Sequence, residues 1–320
     1  MRKILITGAN GFLGKSLCST LSKTYSIRGV VRKLDSSGPF NKIEYFQGDF
    51  SIPFDWSSAL SGISEIIHCA AHVHIFNGGK NDPVNPFMSI NVDGTMRLAR
   101  QASMAGVKRF IFISTIGVNG SETISKPFNA DDIVRPLTPY AISKYLAEIK
   151  LRELSKETGM EVVIIRPPLI YGINAPGNFS KLFSLLKSGY PLPFGGLNKN
   201  LRSFIYIDNL IDLIERCIHY PAAANETFLV SDDEDVSTTK FIQLINMTLS
   251  KKAVLLRCPS FLVKLGLRLS GKKNLISSFC SSMQVDILKT KTLLRWRPSI
   301  SMEEGFRYIS QGQNDKSDDK

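Results

Sequence analysis

Apolar residues in the first half of the chain follow two alternating periods. Short segments rich in apolar residues occupy 3–7, 26–31, 43–47, 65–69, 108–114 and 161–166. Longer segments at 12–23, 85–105 and 139–158 place apolar side chains at helical spacing. Apolar strands separated by helices predict βαβ units, and so a parallel sheet with helices on both faces. Such crossovers are right-handed, which makes the predicted fold α/β: a Rossmann-like, doubly wound sheet.

The rhythm changes after residue 166. Pro167, Pro168, Pro176, Pro191 and Pro193, with glycines at 172, 177, 189, 195 and 196, punctuate shorter elements. The pattern predicts a dinucleotide-binding domain over 1–166. A smaller C-terminal α/β substrate lobe over 167–310 is interleaved with it. Residues 311–320, QGQNDKSDDK, read as a disordered tail.

Composition narrows the class without naming it. With 43% hydrophobic and 21% charged residues, the chain is an ordinary globular protein. No apolar run approaches the ~20 residues of a bilayer span. The run at 4–6 is shorter than the ~7 residues that a signal peptide needs, so a cytoplasmic protein is expected. Five widely spaced cysteines without a C-x-x-C read as buried reduced thiols. The net charge of +12 suits an anionic ligand, but the basic residues are scattered and no nucleic-acid motif accompanies them. Residues 259–273, PSFLVKLGLRLSGKK, space leucines and cations helically. This segment reads as a surface helix packed on its own domain, with peripheral contact to an anionic membrane as the alternative.

The chemistry begins with ILITGANGFLG, which puts Gly8, Gly11 and Gly14 between the first strand and the first helix. Glycines there permit a tight turn and close approach of a pyrophosphate, which then meets the helix N-terminus. At the end of the second strand an acid would bind the ribose hydroxyl of NAD. Arg32 and Lys33 stand there instead. They suit a 2′-phosphate, so NADP(H) is favoured, with NAD(H) as the alternative. Tyr140 and Lys144 share a helical face at i, i+4. A nearby ammonium, together with the positive charge of an oxidised nicotinamide, is expected to lower the phenol's pKa; a drop of about 3 units takes about 4 kcal/mol. The fifth strand ends in Ser114 and Thr115, at the sheet edge where ligands sit. His68, His72 and His74 follow the fourth strand; His68 reads as structural, His72 or His74 as a sugar contact, and no metal is expected.

These motifs resemble the extended short-chain dehydrogenase/reductase superfamily over about residues 2–308. The G-x-x-G-x-x-G spacing is similar to that family's, which implies cofactor contacts from Asn10, Phe12 and Leu13 beside the three glycines. Asp49 and Phe50 resemble the family's adenine-contacting pair, and His68-Cys69-Ala70-Ala71 its H-x-A-A segment along the cofactor. Asn91 resembles the asparagine of N-x-x-G-T that braces the central strands. Thr115 resembles the hydroxyl that holds the reacting oxygen, with Ser114 as its more structural neighbour and a substrate contact. Tyr140 then moves the proton, and Lys144 lowers its pKa and holds the nicotinamide ribose. Pro167, in RPPLIYG, resembles a nicotinamide contact.

The likeness is greatest to nucleotide-sugar epimerases, dehydratases and reductases. It implies diphosphate contacts from Asn178 and Arg202 and a uracil-gripping loop at Pro193 and Phe194. Ser203 departs from the family's aspartate after that arginine. Asp286 resembles the D-x-x-K stretch near the family's C-terminus. Two reactions at the sugar C4 stay open: NADP(H)-dependent reduction of a UDP-4-keto-6-deoxy-N-acetylhexosamine in surface-polysaccharide (O-antigen) synthesis, which is favoured, and 4-epimerisation of UDP-glucose or UDP-N-acetylglucosamine. A dehydratase would carry Asp-Glu after the threonine, where Ile116-Gly117 stands. A non-catalytic NADP-binding redox sensor would show a broken trio, and all three positions are filled. Relatives dimerise through helices matching 85–105 and 139–158, so a homodimer is expected.

Overall fold

The computed structural model describes residues 2–34, 43–73, 86–249, 252–269 and 279–314. His74 and residues 315–320 of the predicted tail lie outside the described residues. Residues 311–314, predicted as disordered, instead end the helix Met302–Asn314.

The first half runs β1 (Lys3–Thr7), α1 (Phe12–Leu21), β2 (Ser26–Val31), β3 (Glu44–Gln47), α2 (Ser57–Leu60) and β4 (Glu65–His68). A short α3 (Pro86–Met88) passes through a π-helical stretch, Ser89–Gly94, into α4 (Thr95–Met104). β5 (Arg109–Ile113), α5 (Pro139–Thr158) and β6 (Glu161–Arg166) follow. The predicted elements at 3–7, 26–31, 139–158 and 161–166 match these limits. α5 starts where Thr138 caps Ala141 N–H through its hydroxyl, with Pro139 next, and stops at Gly159 in the left-handed region.

The second half adds β7 (Leu169–Tyr171), α6 (Asn178–Lys187), β8 (Arg202–Tyr206), α7 (Ile207–His219), β9 (Thr227–Leu229), β10 (Asp235–Val236), α8 (Thr238–Met247) and α9 (Ser260–Leu269). Among the described residues the main sheet orders its strands β3-β2-β1-β4-β5-β6-β9, every pair parallel. The predicted boundary at 166 closes β6, but the chain returns: β9 pairs with β6, and α7 packs against α1. Leaving and re-entering the sheet is what interleaves the halves. A second sheet, β10-β8-β7, supports the lobe.

The alternation of side chains explains why the strands read as segments rich in apolar residues. Ile4, Ile6, Ile67, Ile111 and Val163 face one layer, with Leu17 and Leu210. Leu5, Ile66, Phe110, Phe112 and Ile164 face the other, with Leu98 and Leu151. Both faces are dry, so apolar residues fill successive positions in the middle of the strands.

Candidate active site

Strand order reverses about β1, whose neighbours are β2 and β4, and the loop after β1 opens at this switch point. Gly8 has φ +66°, and a Cβ there would lie 3.1 Å from the Ala70 backbone. At Gly14 a Cβ would fall 2.1 Å from the Gly8 carbonyl oxygen. The turn therefore closes only without side chains. No side chain caps α1 at Gly11, so its first N–H groups stay available to an anion. This bare cradle fits a dinucleotide pyrophosphate.

The flanking residues divide by orientation. Asn10 is exposed, whereas Leu13 is buried in the core and Phe12 lies beside Gly172. Arg32 and Lys33 are exposed beyond β2. The Ser51 hydroxyl and N–H, donating at 2.7 and 2.8 Å, hold the Asp49 carboxyl below its ordinary range, and the Arg32 charge adds to this. The Phe50 ring stacks on Trp56 at 4.8 Å and the residue is 8% exposed, within the apolar layer under the sheet. Ala70 and Ala71 are half-buried along the loop after β4.

Polar side chains fix that loop. The Thr7 hydroxyl accepts from Ala70 N–H at 3.1 Å and pairs with His68 Nδ1 at 2.8 Å, while His68 Nε2 pairs with Thr95 Oγ1 at 3.0 Å. Burial holds the His68 imidazole neutral, with its pKa well below the usual value. This gives the structural role read from the sequence. Asn91 accepts from His72 N–H at 2.7 Å and donates to the His72 carbonyl and the Ser143 hydroxyl at 3.0 Å each. It sits in the π-helical stretch, an irregularity often found at working sites. Among the described residues no group of three His, Cys, Asp or Glu could hold a metal ion.

Thr115, Tyr140 and Lys144 come from adjoining elements. Thr115 follows β5 and caps the 3-10 turn Ile116–Val118, accepting from Gly117 N–H at 3.2 Å. A Cβ on Gly117 would meet the Ala141 Cβ at 3.4 Å, so this turn lies against the start of α5. Tyr140 is half-buried there, its ring 6.5 Å from Phe87. Lys144, one turn on, is 1% exposed, with its ammonium 3.9 Å from the Phe112 ring centroid.

In the chain without a dinucleotide, burial governs the electrostatics of both groups. Burial pushes Tyr140 up to about 12 and Lys144 down from 10.5 to about 7. Burial disfavours the charged form of each. The chain alone therefore favours the protonated phenol. Lys144 sits near the middle of its titration.

A stability prediction follows. The unfolded chain keeps the Lys144 proton up to 10.5, while the folded chain releases it near 7. Between these values the unfolded state holds more protons, so stability rises with pH; below pH 7 the fold bears the full cost of the buried cation. Lys144→Met should resist urea better than the parent at about pH 6, with the advantage shrinking towards about pH 10. Urea midpoints across that range check it.

Ser114 is not turned to a substrate. It is 3% exposed and donates to Glu148 Oε1 at 2.6 Å. Glu148 also receives Arg166 through Nε at 3.0 Å and Nη2 at 2.6 Å, and Arg166 Nη1 donates to Asn119 Oδ1 at 3.0 Å. This buried pair ties α5 to the ends of β5 and β6, and it escaped the sequence reading. The available signal was Glu148 at i+4 from Lys144, on the inward face of the same helix. Pro167 is buried, and its carbonyl accepts from Ile116 N–H at 2.9 Å.

In the lobe, Arg202 is 7% exposed and donates through Nη1 to the Ser281 carbonyl at 2.8 Å. Burial lowers its pKa to about 10. Ser203 pairs with Asp235 and accepts from Val285 N–H at 2.8 Å, which accounts for serine where the family has aspartate. Pro193 is exposed, while Phe194 stacks on Phe279 at 6.0 Å, inside the lobe. Asn178 begins α6, and its side chain lies outside what is described. Asp286 caps Leu288 N–H at 2.8 Å.

The fold and this edge define a nucleotide-binding α/β protein of Rossmann type. The chain belongs to the NAD dependent epimerase/dehydratase family, whose model matches residues 4–231. It is 39% identical to a UDP-glucose 4-epimerase of Vibrio cholerae, over 97% of this chain and 95% of that protein. It is 28% identical to an N-acetyl-α-D-glucosaminyl-diphospho-ditrans,octacis-undecaprenol 4-epimerase of Escherichia coli O157:H7, covering 89% and 88%. A UDP-glucose 4-epimerase of Thermotoga maritima, solved with UDP-glucose, superposes with a TM-score of 0.78 at 20% identity, covering 98% of this chain and 99% of that one. The family description specifies NAD, and the NADP(H) preference read from Arg32 and Lys33 gains no support from it. Among the described residues no helix is long and apolar enough to cross a membrane.

Proposed function

We propose that this protein is a UDP-hexose 4-epimerase. The observation that carries this reading is its near full-length similarity to the Vibrio cholerae UDP-glucose 4-epimerase. The gathering of Thr115, Tyr140 and Lys144 at the switch-point edge fits it. A bound nicotinamide dinucleotide supplies the acceptor and donor of hydride at the sugar C4. Protonated in the chain alone, the Tyr140 phenol would ionise once the positive charge of an oxidised nicotinamide joins that of Lys144, and as phenolate it would take the proton from the O4 hydroxyl and later return it. Thr115 orients that oxygen by a hydrogen bond, and Lys144 sets the charge around the phenol. Ile116 and Gly117 offer no acid for eliminating water, so the chemistry stays at one carbon. Two copies pair through α4 and α5.

Purified protein given UDP-glucose or UDP-N-acetylglucosamine, with no added cofactor, should form the C4 epimer. A protein that forms none, yet oxidises NADPH with a UDP-4-keto-6-deoxy sugar, would be a reductase. That second reading is favoured by Arg32 and Lys33, which leave β2 without an acid at its end.

Gly14→Ala tests the cradle. Its methyl must displace the Gly8 carbonyl, so dinucleotide affinity should fall by at least about tenfold, or about 1.4 kcal/mol. Equilibrium titration with NAD checks this.

A further inference from the structure

Helix α9 turns an apolar arc away from the protein. Phe261, Leu262, Leu265 and Leu269 are 65%, 47%, 50% and 80% exposed, and among its described side chains only Val263 is buried. At 3.6 residues per turn these four positions fall within about 100° of the helix circumference. Lys264 and Arg268, both exposed, flank the arc on one side. The preceding segment adds Val254 and Leu256, 59% and 48% exposed, beside exposed Lys252 and Arg257. Val263 packs this helix onto its own domain, and the apolar arc faces the other way. Single exposed leucines are ordinary, but a continuous apolar arc on one helix marks a contact surface.

The charge identifies what covers it. Basic residues are dispersed along the rest of the chain, yet from residue 236 to 285 there are eight lysines and arginines and no acid. Eight of the twelve net positive charges therefore belong to these fifty residues. A second copy of the chain would set like charge against like. An apolar arc bordered by cations matches the boundary between acyl chains and anionic headgroups.

We propose that α9 docks this protein on an anionic membrane surface, seating Phe261, Leu265 and Leu269 among acyl chains and Lys264 and Arg268 against lipid phosphates. The helix lies in the surface plane and does not cross the bilayer. This inference stands apart from the 4-epimerase reading, because no residue of the edge around Tyr140 takes part.

The test is co-sedimentation of the full chain with phosphatidylcholine vesicles, with and without phosphatidylglycerol. The protein should sediment with the anionic vesicles, stay in solution with the neutral ones, and be released at about 1 M salt, where the screening length is ~3 Å. Joint Lys264→Gln and Arg268→Gln replacement should weaken binding about thirtyfold, roughly fivefold for each cation. Phe261→Ser with Leu265→Ser should abolish it. Neither pair should alter turnover of a soluble UDP-sugar. Absence of binding to anionic vesicles, equal binding to neutral ones, or unchanged binding by both variants would overturn the proposal. A dimer lost on the serine replacements would overturn it in favour of self-association.

Discussion

Tyr140→Phe should lower turnover of a UDP-sugar by about 10²–10⁴-fold and leave dinucleotide affinity little changed. The substitution removes one oxygen and keeps the ring, which is half-buried near Phe87, so the fold has no reason to change. Burial holds the hydroxyl protonated up to about 12. Phenylalanine cannot donate or accept at that point, and Thr115 alone would orient the sugar oxygen without moving its proton. Lys144, lowered by burial to about 7, titrates inside the working range. Rates measured with saturating sugar, beside NAD binding by equilibrium titration, separate the two roles. A variant that still turns over at the parental rate would remove Tyr140 from the chemistry, and with it the mechanism drawn from the α5 face.

The sheet was legible because both of its faces are dry. Six apolar runs separated by helical periods determine a parallel, doubly wound order, and the glycine turn marks where that order reverses. β9 was not legible. It has three residues, Thr227–Leu229, and joins β6 only because the lobe's path brings it back. The candidate site was legible where backbone geometry dictates the residue, as at Gly8 and Gly14, or where helical spacing does, as for Tyr140 and Lys144. It was illegible where side-chain direction decides. Ser114 and Thr115 are adjacent at the end of a strand, so they face opposite ways, and a list of hydroxyls cannot say which one meets the interior. The inward turn of the Phe50 ring beside Asp49 was illegible for the same reason. The direction of the Tyr140 shift was also beyond the sequence, since it depends on how deeply Tyr140 and Lys144 are buried and not on their spacing.

Glu148→Ala should destabilise the fold by about 3–5 kcal/mol, more than a leucine-sized cavity in many cores. The Glu148 side chain is 0% exposed and that of Arg166 3%, so the replacement strands a guanidinium with no carboxylate inside the protein. It also frees the Ser114 hydroxyl, whose 2.6 Å bond to Glu148 fixes the strand end beside Thr115. The variant should therefore lose turnover as well as stability. Urea unfolding of the single and double replacements separates pairing from packing. Glu148→Leu combined with Arg166→Met removes both charges and keeps the volume, so it should recover most of the loss. The residual deficit should reflect Asn119, whose Oδ1 accepts from Arg166 at 3.0 Å. If the double variant is as unstable as the single one, the pair is not what joins α5 to β6, and the alignment of Thr115 with Tyr140 must come from the apolar contacts of Ala147, Leu151 and Ile164.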